Sequence, residues 1–299
     1  MSPSKAVKVV IGAHVSTARL RTATGGQAGG LATAIPRAQA IGAEAIQIFG
    51  ASPRQWRVRV PSKEEVLAFR QAAKAAVIGP VFLHAPYLIN LASPELEMRR
   101  KSSELLMGHL NIAEAIGAEG VIVHIGSGKE MPKAEAEQAV VQEVRTILKS
   151  VSGRSKVILE NSAGGGQKLG STLKELGRLL DQINEERVGA CFDSAHAFEA
   201  GVVVNYDPES VAKLAEDISK TLSWERLTVI HANDSKTTWN SHHDRHENIG
   251  QGYIGRDGFV NLLRHPQFRS LPWLLEVPGF AGEGPDKQNV DLLRELSGR

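Results

Sequence analysis

Six short apolar segments of the chain each end in a histidine or a carboxylate. They are VFLH ending at His84, VIVH at His124, VILE at Glu160, ACFD at Asp193, TVIH at His231 and WLLE at Glu276. Imidazole and carboxylate groups are protein ligands of zinc and similar ions. Burial of such groups together without a partner would cost several kcal/mol per ion, whereas a bound metal makes the cluster favourable. The pattern therefore predicts the metal centre of a metallohydrolase.

Two further spacings add ligands to this set. His196 follows Asp193 after about one helical turn, and Asp244 and His246 alternate on one side of an extended loop. The candidates are then five histidines, two aspartates and two glutamates. Nine groups are too many for one tetrahedral ion and suit three ions that share a bridging carboxylate.

The donor types and charges of these groups limit the metal and the substrate. Three dications with four ionised carboxylates leave a charge of about +2, which suits a phosphodiester better than a neutral sugar. Nitrogen and oxygen donors without a thiolate favour Zn2+, with Mn2+ or Fe2+ as alternatives at one or more sites. The single cysteine, Cys191, lies inside an apolar segment and is expected to be a buried structural thiol.

Apolar runs alternate with helical patterns along the whole chain. The runs are KVVIGAHV, AIQIF, VFLHA, VIVHI, VILEN, ACFD, TVIHA and WLLEV, and a helical pattern follows each. This alternation predicts an α/β fold, the (β/α)8 TIM barrel, with the metal site at the C-terminal ends of eight parallel strands. No linker or low-complexity tract divides the chain, so residues 1–299 are expected to form one domain.

Capping residues predict helix starts, and two long loops interrupt the alternation. Helix starts are expected at Ser62, Ser93, Thr172 and Asp207. The Gly-rich segment 17–30 and the polar segment 237–255 each follow a predicted strand. Loops of this length in a compact domain are usually functional or mobile. Both are expected on the same face as the metal site.

The composition is that of an ordinary globular protein. The formal net charge is +2, which permits a polyanionic ligand without requiring one. The N-terminal MSPSKAVKVV lacks the apolar core of a signal peptide. No segment approaches the roughly 18 apolar residues of a membrane span. We therefore expect a cytoplasmic protein.

Nine ordered motifs between Gly12 and Gly279 carry a family resemblance. They are GAHVS, RQW, HAPYLINL, VIVHIGSG, ENSAGGG, FDSAHAFEAG, HANDSK, DRHENIGQGYIG and LLEVPG. In this order the chain resembles the endonuclease IV family of apurinic/apyrimidinic endonucleases. The resemblance implies a TIM barrel with three zinc ions that cuts double-stranded DNA 5' to an abasic site, leaving a 3'-hydroxyl and a 5'-deoxyribose phosphate. We also expect a monomer that is associated with the nucleoid through its substrate.

The resemblance assigns the ligands to three sets. The sets are His84, His124 and the bridging Glu160 for the first ion, Glu160, Asp193, His231 and Glu276 for the second, and His196, Asp244 and His246 for the third. A hydroxide that bridges the first two ions would attack phosphorus, with Glu160 and Glu276 orienting it as catalytic residues. The third ion would stabilise the leaving 3'-oxygen.

The resemblance also implies DNA contacts in the loops after the second and third strands. The residues are Arg54, Gln55, Trp56, Tyr87 and Asn90. In the family these loops enter the minor groove and fill the gap left by the extruded sugar. Read from the residues alone, the aromatic members are packing residues of the loops and Arg54 is a solvated charge.

Three features depart from the family's usual motifs. An insertion is expected at 17–28, where the family passes almost directly from GAHVS to a Gly-Gly pair, and it would extend a DNA-facing loop. Gln251 stands where the family often has Glu, and Ser194-Ala195 stand where a Thr-Cys pair is common. These changes are expected to affect rate or metal affinity and not the class of reaction.

Two other functions compete with DNA hydrolysis. Sugar isomerases and epimerases on the same barrel use one or two divalent ions held by His, Glu and Asp at strand ends. They have no use for the third set of ligands, His196, Asp244 and His246, so the number of bound ions separates the two readings. A DNA-binding protein that has lost catalysis would usually lack a ligand, and all nine are present.

Overall fold

The protein is a closed parallel barrel, as the alternation of the sequence predicts. The computed structural model describes residues 8–18, 20–21 and 27–298. The barrel strands are β1 (Val10–His14), β2 (Ala45–Phe49), β3 (Val81–His84), β4 (Gly120–His124), β5 (Lys156–Glu160), β6 (Val188–Asp193), β7 (Leu227–His231) and β8 (Pro272–Leu275). Each strand pairs with the next along the chain, and β8 pairs with β1 to close the sheet. The predicted TIM barrel is confirmed.

Helices surround the barrel on its outer side. They are α1 (Ala34–Ile41), α2 (Lys63–Ala76), α3 (Leu96–Ile116), α4 (Lys133–Ser150), α5 (Leu173–Ile183), α6 (Ser194–Glu199), α7 (Pro208–Thr221), α8 (Gly255–Arg264), α9 (Pro266–Arg269) and α10 (Lys287–Leu296). None of the helices in the described part of the chain is long and apolar enough to cross a membrane.

Three of the four predicted helix starts are confirmed. Ser62, Thr172 and Asp207 each accept a hydrogen bond from a backbone N–H of the helix that follows. The fourth prediction is wrong, because α3 begins at Leu96 and not after Ser93. The hydroxyl of Ser93 instead accepts from the N–H of Glu95 at 3.2 Å, and this local turn precedes the helix.

Two apolar layers hold the barrel together. Inside it, side chains from alternate positions of the strands pack on one another, including Phe82, Ile122 and Ile158. Cys191 belongs to this layer and is wholly buried. Burial raises the pKa of its thiol to about 12, so Cys191 is a protonated structural residue. A second layer fills the space between the strands and the helices.

The two long loops are held in different ways. The segment 237–255 is anchored by buried Asp234, whose carboxylate accepts hydrogen bonds from the backbone N–H groups of Gly250, Gly252 and Ile254. For the predicted insertion 17–28, residues 19 and 22–26 lie outside the described residues, and the backbones of 20–21 and 27–28 form a short antiparallel pair. The expected DNA-facing role of this insertion stays a prediction.

Candidate metal centre

The predicted ligands converge at the C-terminal ends of six neighbouring strands. His84, His124, Glu160, Asp193 and His231 are the last residues of β3 to β7. β8 ends one residue before Glu276, which therefore begins the following loop. The register of the strands brings ligands side by side, with His124 opposite Glu160 and Asp193 opposite His231.

Glu160 lies at the centre of the cluster and faces two groups of ligands. Its Oε2 lies 3.2 Å from His84 Nε2 and 3.1 Å from His124 Nε2, and its Oε1 lies 2.9 Å from His231 Nδ1. Burial opposes ionisation, but His124 and His231 outweigh it and hold the pKa of Glu160 well below the ordinary value. One ionised carboxylate thus offers an oxygen to each of two neighbouring groups, which is the geometry of a bridging ligand.

A second group surrounds His231. One donor atom from each of Glu160, Asp193, His231 and Glu276 falls within 4.8 Å of the others. His231 Nδ1 lies 3.2 Å from Glu276 Oε2 and 3.7 Å from Asp193 Oδ2. Three carboxylates around one imidazole match the oxygen-rich donor set of a divalent cation.

A third group is formed where α6 meets the loop 237–255. His196 Nε2 lies 3.2 Å from Asp244 Oδ1, and His246 Nε2 lies 3.6 Å from the same oxygen. Both Nε2 atoms are buried and have no hydrogen-bond partner in the described part of the chain. A buried nitrogen left in this way costs about 1–3 kcal/mol. A metal ion would satisfy both nitrogens, so these residues fit the ion that the sequence predicts.

The orientation of three ligand histidines is fixed by bonds from their other ring nitrogen. His84 Nδ1 donates to the carbonyl of Ala85 at 2.7 Å, and His196 Nδ1 donates to the carbonyl of Asn161 at 2.9 Å. His231 Nε2 donates to Gln47 at 2.8 Å. Metal-bound histidines almost always make such a bond, which sets the tautomer and leaves the second nitrogen for the ion.

Three residues that support the candidate ligands were not predicted from the sequence: Gln47, Asn161 and Asn233. Gln47 is wholly buried in β2, and its amide nitrogen donates to Glu276 and to His14 while its oxygen accepts from His231. The sequence feature that could have identified Gln47 is a glutamine in the middle of the apolar strand AIQIF. A buried amide needs hydrogen-bond partners, so such a residue indicates a polar site nearby.

Asn161 and Asn233 position two residues of the second group, Asp193 and Glu276, mainly through their backbones. Asn233 Nδ2 donates to Asp193 Oδ2 at 2.6 Å, and its Oδ1 accepts from the N–H of Glu276 at 2.8 Å. Asn161 Oδ1 accepts from the N–H of Asp193 at 2.6 Å. Both follow closely on a ligand strand in the sequence, as ENS and HAND, and this position is the signal that could have identified them.

Ser194 and Ala195, which depart from the family motifs, lie between the candidate ligands Asp193 and His196 in the sequence. Ser194 is wholly buried, and its hydroxyl donates to the carbonyl of Asn233 at 2.8 Å. Ala195 is buried and Gln251 is exposed.

The five predicted DNA-contact residues occupy two loops on the same face. Arg54, Gln55 and Trp56 follow β2 and are exposed, and Tyr87 follows β3 with 74% of its surface exposed. Asn90 differs, because its side chain is engaged within the protein. Its Nδ2 donates to the carbonyl of Ser127 at 3.0 Å, and its Oδ1 accepts from the N–H of the same residue at 3.0 Å.

A cavity of about 540 Å³ opens between the loops after β1 and β2. Its wall includes Phe49, Gln55, Arg57 and Arg59. The ring of Phe49 packs edge-on against His14, with ring centroids 4.5 Å apart. His14 Nδ1 in turn lies 3.7 Å from Glu276 Oε1, so Phe49 and His14 connect the wall of this cavity to Glu276.

The chain is similar to known proteins over nearly its whole length. Residues 35–296 match the family described as Xylose isomerase-like TIM barrel. The probable endonuclease 4 of Persephonella marina is 36% identical over 289 residues, covering 96% of this chain and 97% of that protein. The probable endonuclease 4 of Methanoculleus marisnigri is 38% identical over 296 residues, covering 97% and 99%.

A solved structure gives the same result. The crystal structure of endonuclease IV from Thermus thermophilus superposes with a TM-score of 0.80 at 33% sequence identity, covering 96% of this chain and 98% of that one. The description of the matching family refers to a sugar isomerase and so does not separate the competing functions. The two curated relatives and this solved structure are named as endonucleases, and they favour the endonuclease over the sugar enzyme.

Proposed function

Because the chain belongs to the endonuclease IV family of apurinic/apyrimidinic endonucleases, we propose that its metal centre hydrolyses the DNA phosphodiester 5' to an abasic site. The products would be a 3'-hydroxyl and a 5'-deoxyribose phosphate. The protein is a DNA-cleaving hydrolase with a role in DNA repair. The position of the cut and the metal content are the parts that we propose.

The observation that carries the proposal is the third group of ligands. His196, Asp244 and His246 lie beside the other two groups, and a buried ring nitrogen of each histidine faces Asp244 without a hydrogen bond in the described part of the chain. A barrel that moves protons on a sugar needs one or two ions. A third ion beside the other two supplies positive charge for a phosphodiester and its leaving oxygen.

We assign the ligands to three Zn2+ ions. The first would be held by His84, His124 and Glu160, the second by Glu160, Asp193, His231 and Glu276, and the third by His196, Asp244 and His246. Nitrogen and oxygen donors favour zinc, and manganese or iron could replace it. When bound, the ions would activate the attacking water and neutralise charge on the phosphate.

The protein's own groups would orient the reaction. Glu160 stays ionised because its pKa is held low, and it has no exposed side-chain surface. Glu276 is partly exposed and is held by Gln47 and by Asn233. We propose that these two carboxylates fix the direction from which water attacks phosphorus. The hydrogen bonds of the supporting amides, Gln47 and Asn233, would hold Glu276 in one orientation.

DNA binding would use the exposed loops after β2 and β3. Arg54 and Gln55 could contact phosphates, and Trp56 and Tyr87 could stack in the gap left by the abasic sugar. Asn90 would act through the loop that it fastens to Ser127. Since the formal net charge of the chain is only +2, the bound ions would provide much of the local attraction for DNA.

We expect Arg54→Ala to weaken binding of abasic duplex without changing metal content. The loss should be roughly 10-fold in Kd, or about 1.4 kcal/mol, because one exposed contact to DNA is removed. Fluorescence anisotropy with a labelled duplex and zinc analysis measure the two quantities. Arg154→Ala is the matched control, since Arg154 is exposed in the loop that precedes β5, at the opposite end of the barrel. Unchanged affinity would remove Arg54 from the DNA surface.

A count of bound zinc tests the proposed centre against the sugar enzyme. The protein is loaded with zinc, passed through a desalting column and measured by mass spectrometry of the metal. Three tightly held ions per chain support the phosphodiesterase centre. One or two ions would favour an isomerase or epimerase and would be followed by assays with ketoses.

A further inference from the structure

Glu199 is a buried carboxylate that the ligand sets leave unused. It is the last residue of α6 and is wholly buried. Its Oε1 accepts from the hydroxyl of Ser235 at 2.8 Å and from the N–H of Arg245 at 3.3 Å. Its Oε2 is buried and has no hydrogen-bond partner in the part of the chain that the structure describes. An unpartnered carboxylate oxygen is unfavourable in a protein interior and needs a cation or a donor.

The carboxylate of Glu199 lies close to the third group of candidate ligands. His196 and Glu199 are three residues apart on α6, so their side chains lie on the same face of the helix. Donor atoms of His196, Glu199 and Asp244 all lie within 4.8 Å of one another. In di-iron carboxylate proteins a glutamate and a histidine three residues apart on one helix bind the same metal centre, there with the glutamate first.

Oε1 of Glu199 attaches the carboxylate to the loop 237–255, which carries the candidate ligands Asp244 and His246. The hydroxyl of Ser235 and the N–H of Arg245 both donate to Glu199 Oε1. Ser235 precedes the loop segment 237–246, and Arg245 lies within it between Asp244 and His246, so these bonds hold the segment against α6. The carbonyl of Glu199 also accepts from the N–H of His242 at 3.0 Å. The carboxylate is therefore held with one oxygen toward the loop backbone and the other free inside the protein.

We infer that Glu199 is an additional ligand of the third ion, beside His196, Asp244 and His246. The inference rests on the proposed three-ion centre. With this fifth carboxylate, the net charge of the loaded centre would be about +1. Four protein ligands leave only an expanded fifth position for a substrate oxygen, and they hold the ion more firmly than three.

Competition with a chelator tests the inference through metal binding and not through activity. Zinc-loaded wild type and Glu199→Gln are equilibrated with a series of chelator concentrations, and bound zinc is counted at each. Glutamine can still accept the bonds from Ser235 and Arg245, so the loop stays attached while the negative charge is lost. We expect one of three ions in Glu199→Gln to bind at least about 10-fold more weakly, with the other two unchanged.

Glu137→Gln is the matched control, because Glu137 is a buried glutamate of α4 whose carboxylate bonds to Arg178. Retention of all three ions by Glu199→Gln with wild-type affinity would overturn the inference and leave the proposed function intact. If the wild type itself holds fewer than three ions, the proposed centre fails and the inference falls with it.

A crystal structure of the zinc-loaded wild type gives a second test that needs no variant. An oxygen of Glu199 at about 2.0–2.2 Å from the third ion supports the inference. If neither oxygen lies at ligand distance while the ion is bound by His196, Asp244 and His246, the inference is wrong. This result is independent of whether Glu199→Gln folds.

Discussion

Replacing Glu160 with glutamine is expected to lower kcat/KM for incision of abasic DNA by more than about 1000-fold, beyond the 10- to 100-fold typical of residues that only support a ligand. Glu160 is the carboxylate that contacts His84, His124 and His231 from both of its oxygens. An amide keeps the shape but removes the charge and turns one oxygen into a donor that faces imidazole nitrogen. The bridge that we propose between the first two ions would then be lost.

The same variant should still bind abasic duplex, because the exposed loops that carry Arg54 and Tyr87 are separate from the buried carboxylate. Single-turnover incision and anisotropy measure rate and binding independently. The control is again Glu137→Gln, which changes a buried glutamate outside the metal groups. If Glu160→Gln cuts at the wild-type rate, Glu160 has no part in the reaction.

Asp244→Asn should remove one of the three proposed ions and lower incision by more than about 100-fold, because it removes a proposed ligand of the third ion. Asp244 contacts His196 and His246, and about a third of its side chain is exposed. Burial disfavours the ionised form, but His196, His246 and His124 outweigh it and hold the pKa of Asp244 below the ordinary value. The carboxylate is thus ready to accept a cation at neutral pH.

The fold should survive this substitution, since Asp234 anchors the loop through bonds that do not involve Asp244. Zinc counting should give two ions where the wild type gives three, with little change in Tm. Asp257→Asn, an exposed aspartate on α8, is the matched control. Full incision with only two ions would show that the third ion is dispensable for DNA hydrolysis and would contradict the role proposed for His196, Asp244 and His246.

Strand ends were predictable because two independent signals coincide there. Six of the eight apolar runs lead to a group that is costly to bury, and the last residue of the strand is itself the candidate ligand at His84, His124 and Glu160. Eight apolar runs separated by helical patterns leave few topologies other than a closed barrel. For this reason the fold was predicted more completely than the surroundings of the site.

The partners of the ligands were harder to predict because they come from distant parts of the chain. Gln47 and His231 are 184 residues apart in sequence, and their hydrogen bond exists only once the barrel closes. The engagement of Asn90 with Ser127 across 37 residues likewise has no local signal. The spacing of Glu199 from His196 could be read from the sequence. The burial of its carboxylate could not, because it depends on the loop that covers α6.

The most direct test of the proposed function is incision of a duplex oligonucleotide that carries one tetrahydrofuran abasic analogue. The zinc-loaded protein is compared with the same protein after chelation and after zinc is restored, and the 3' end of the product is identified. Because the analogue blocks β-elimination, we predict a single cut 5' to the analogue with a 3'-hydroxyl, lost on chelation and recovered with zinc. No cut by fully loaded protein, or a cut that survives removal of the metal, would contradict metal-dependent hydrolysis at the abasic site.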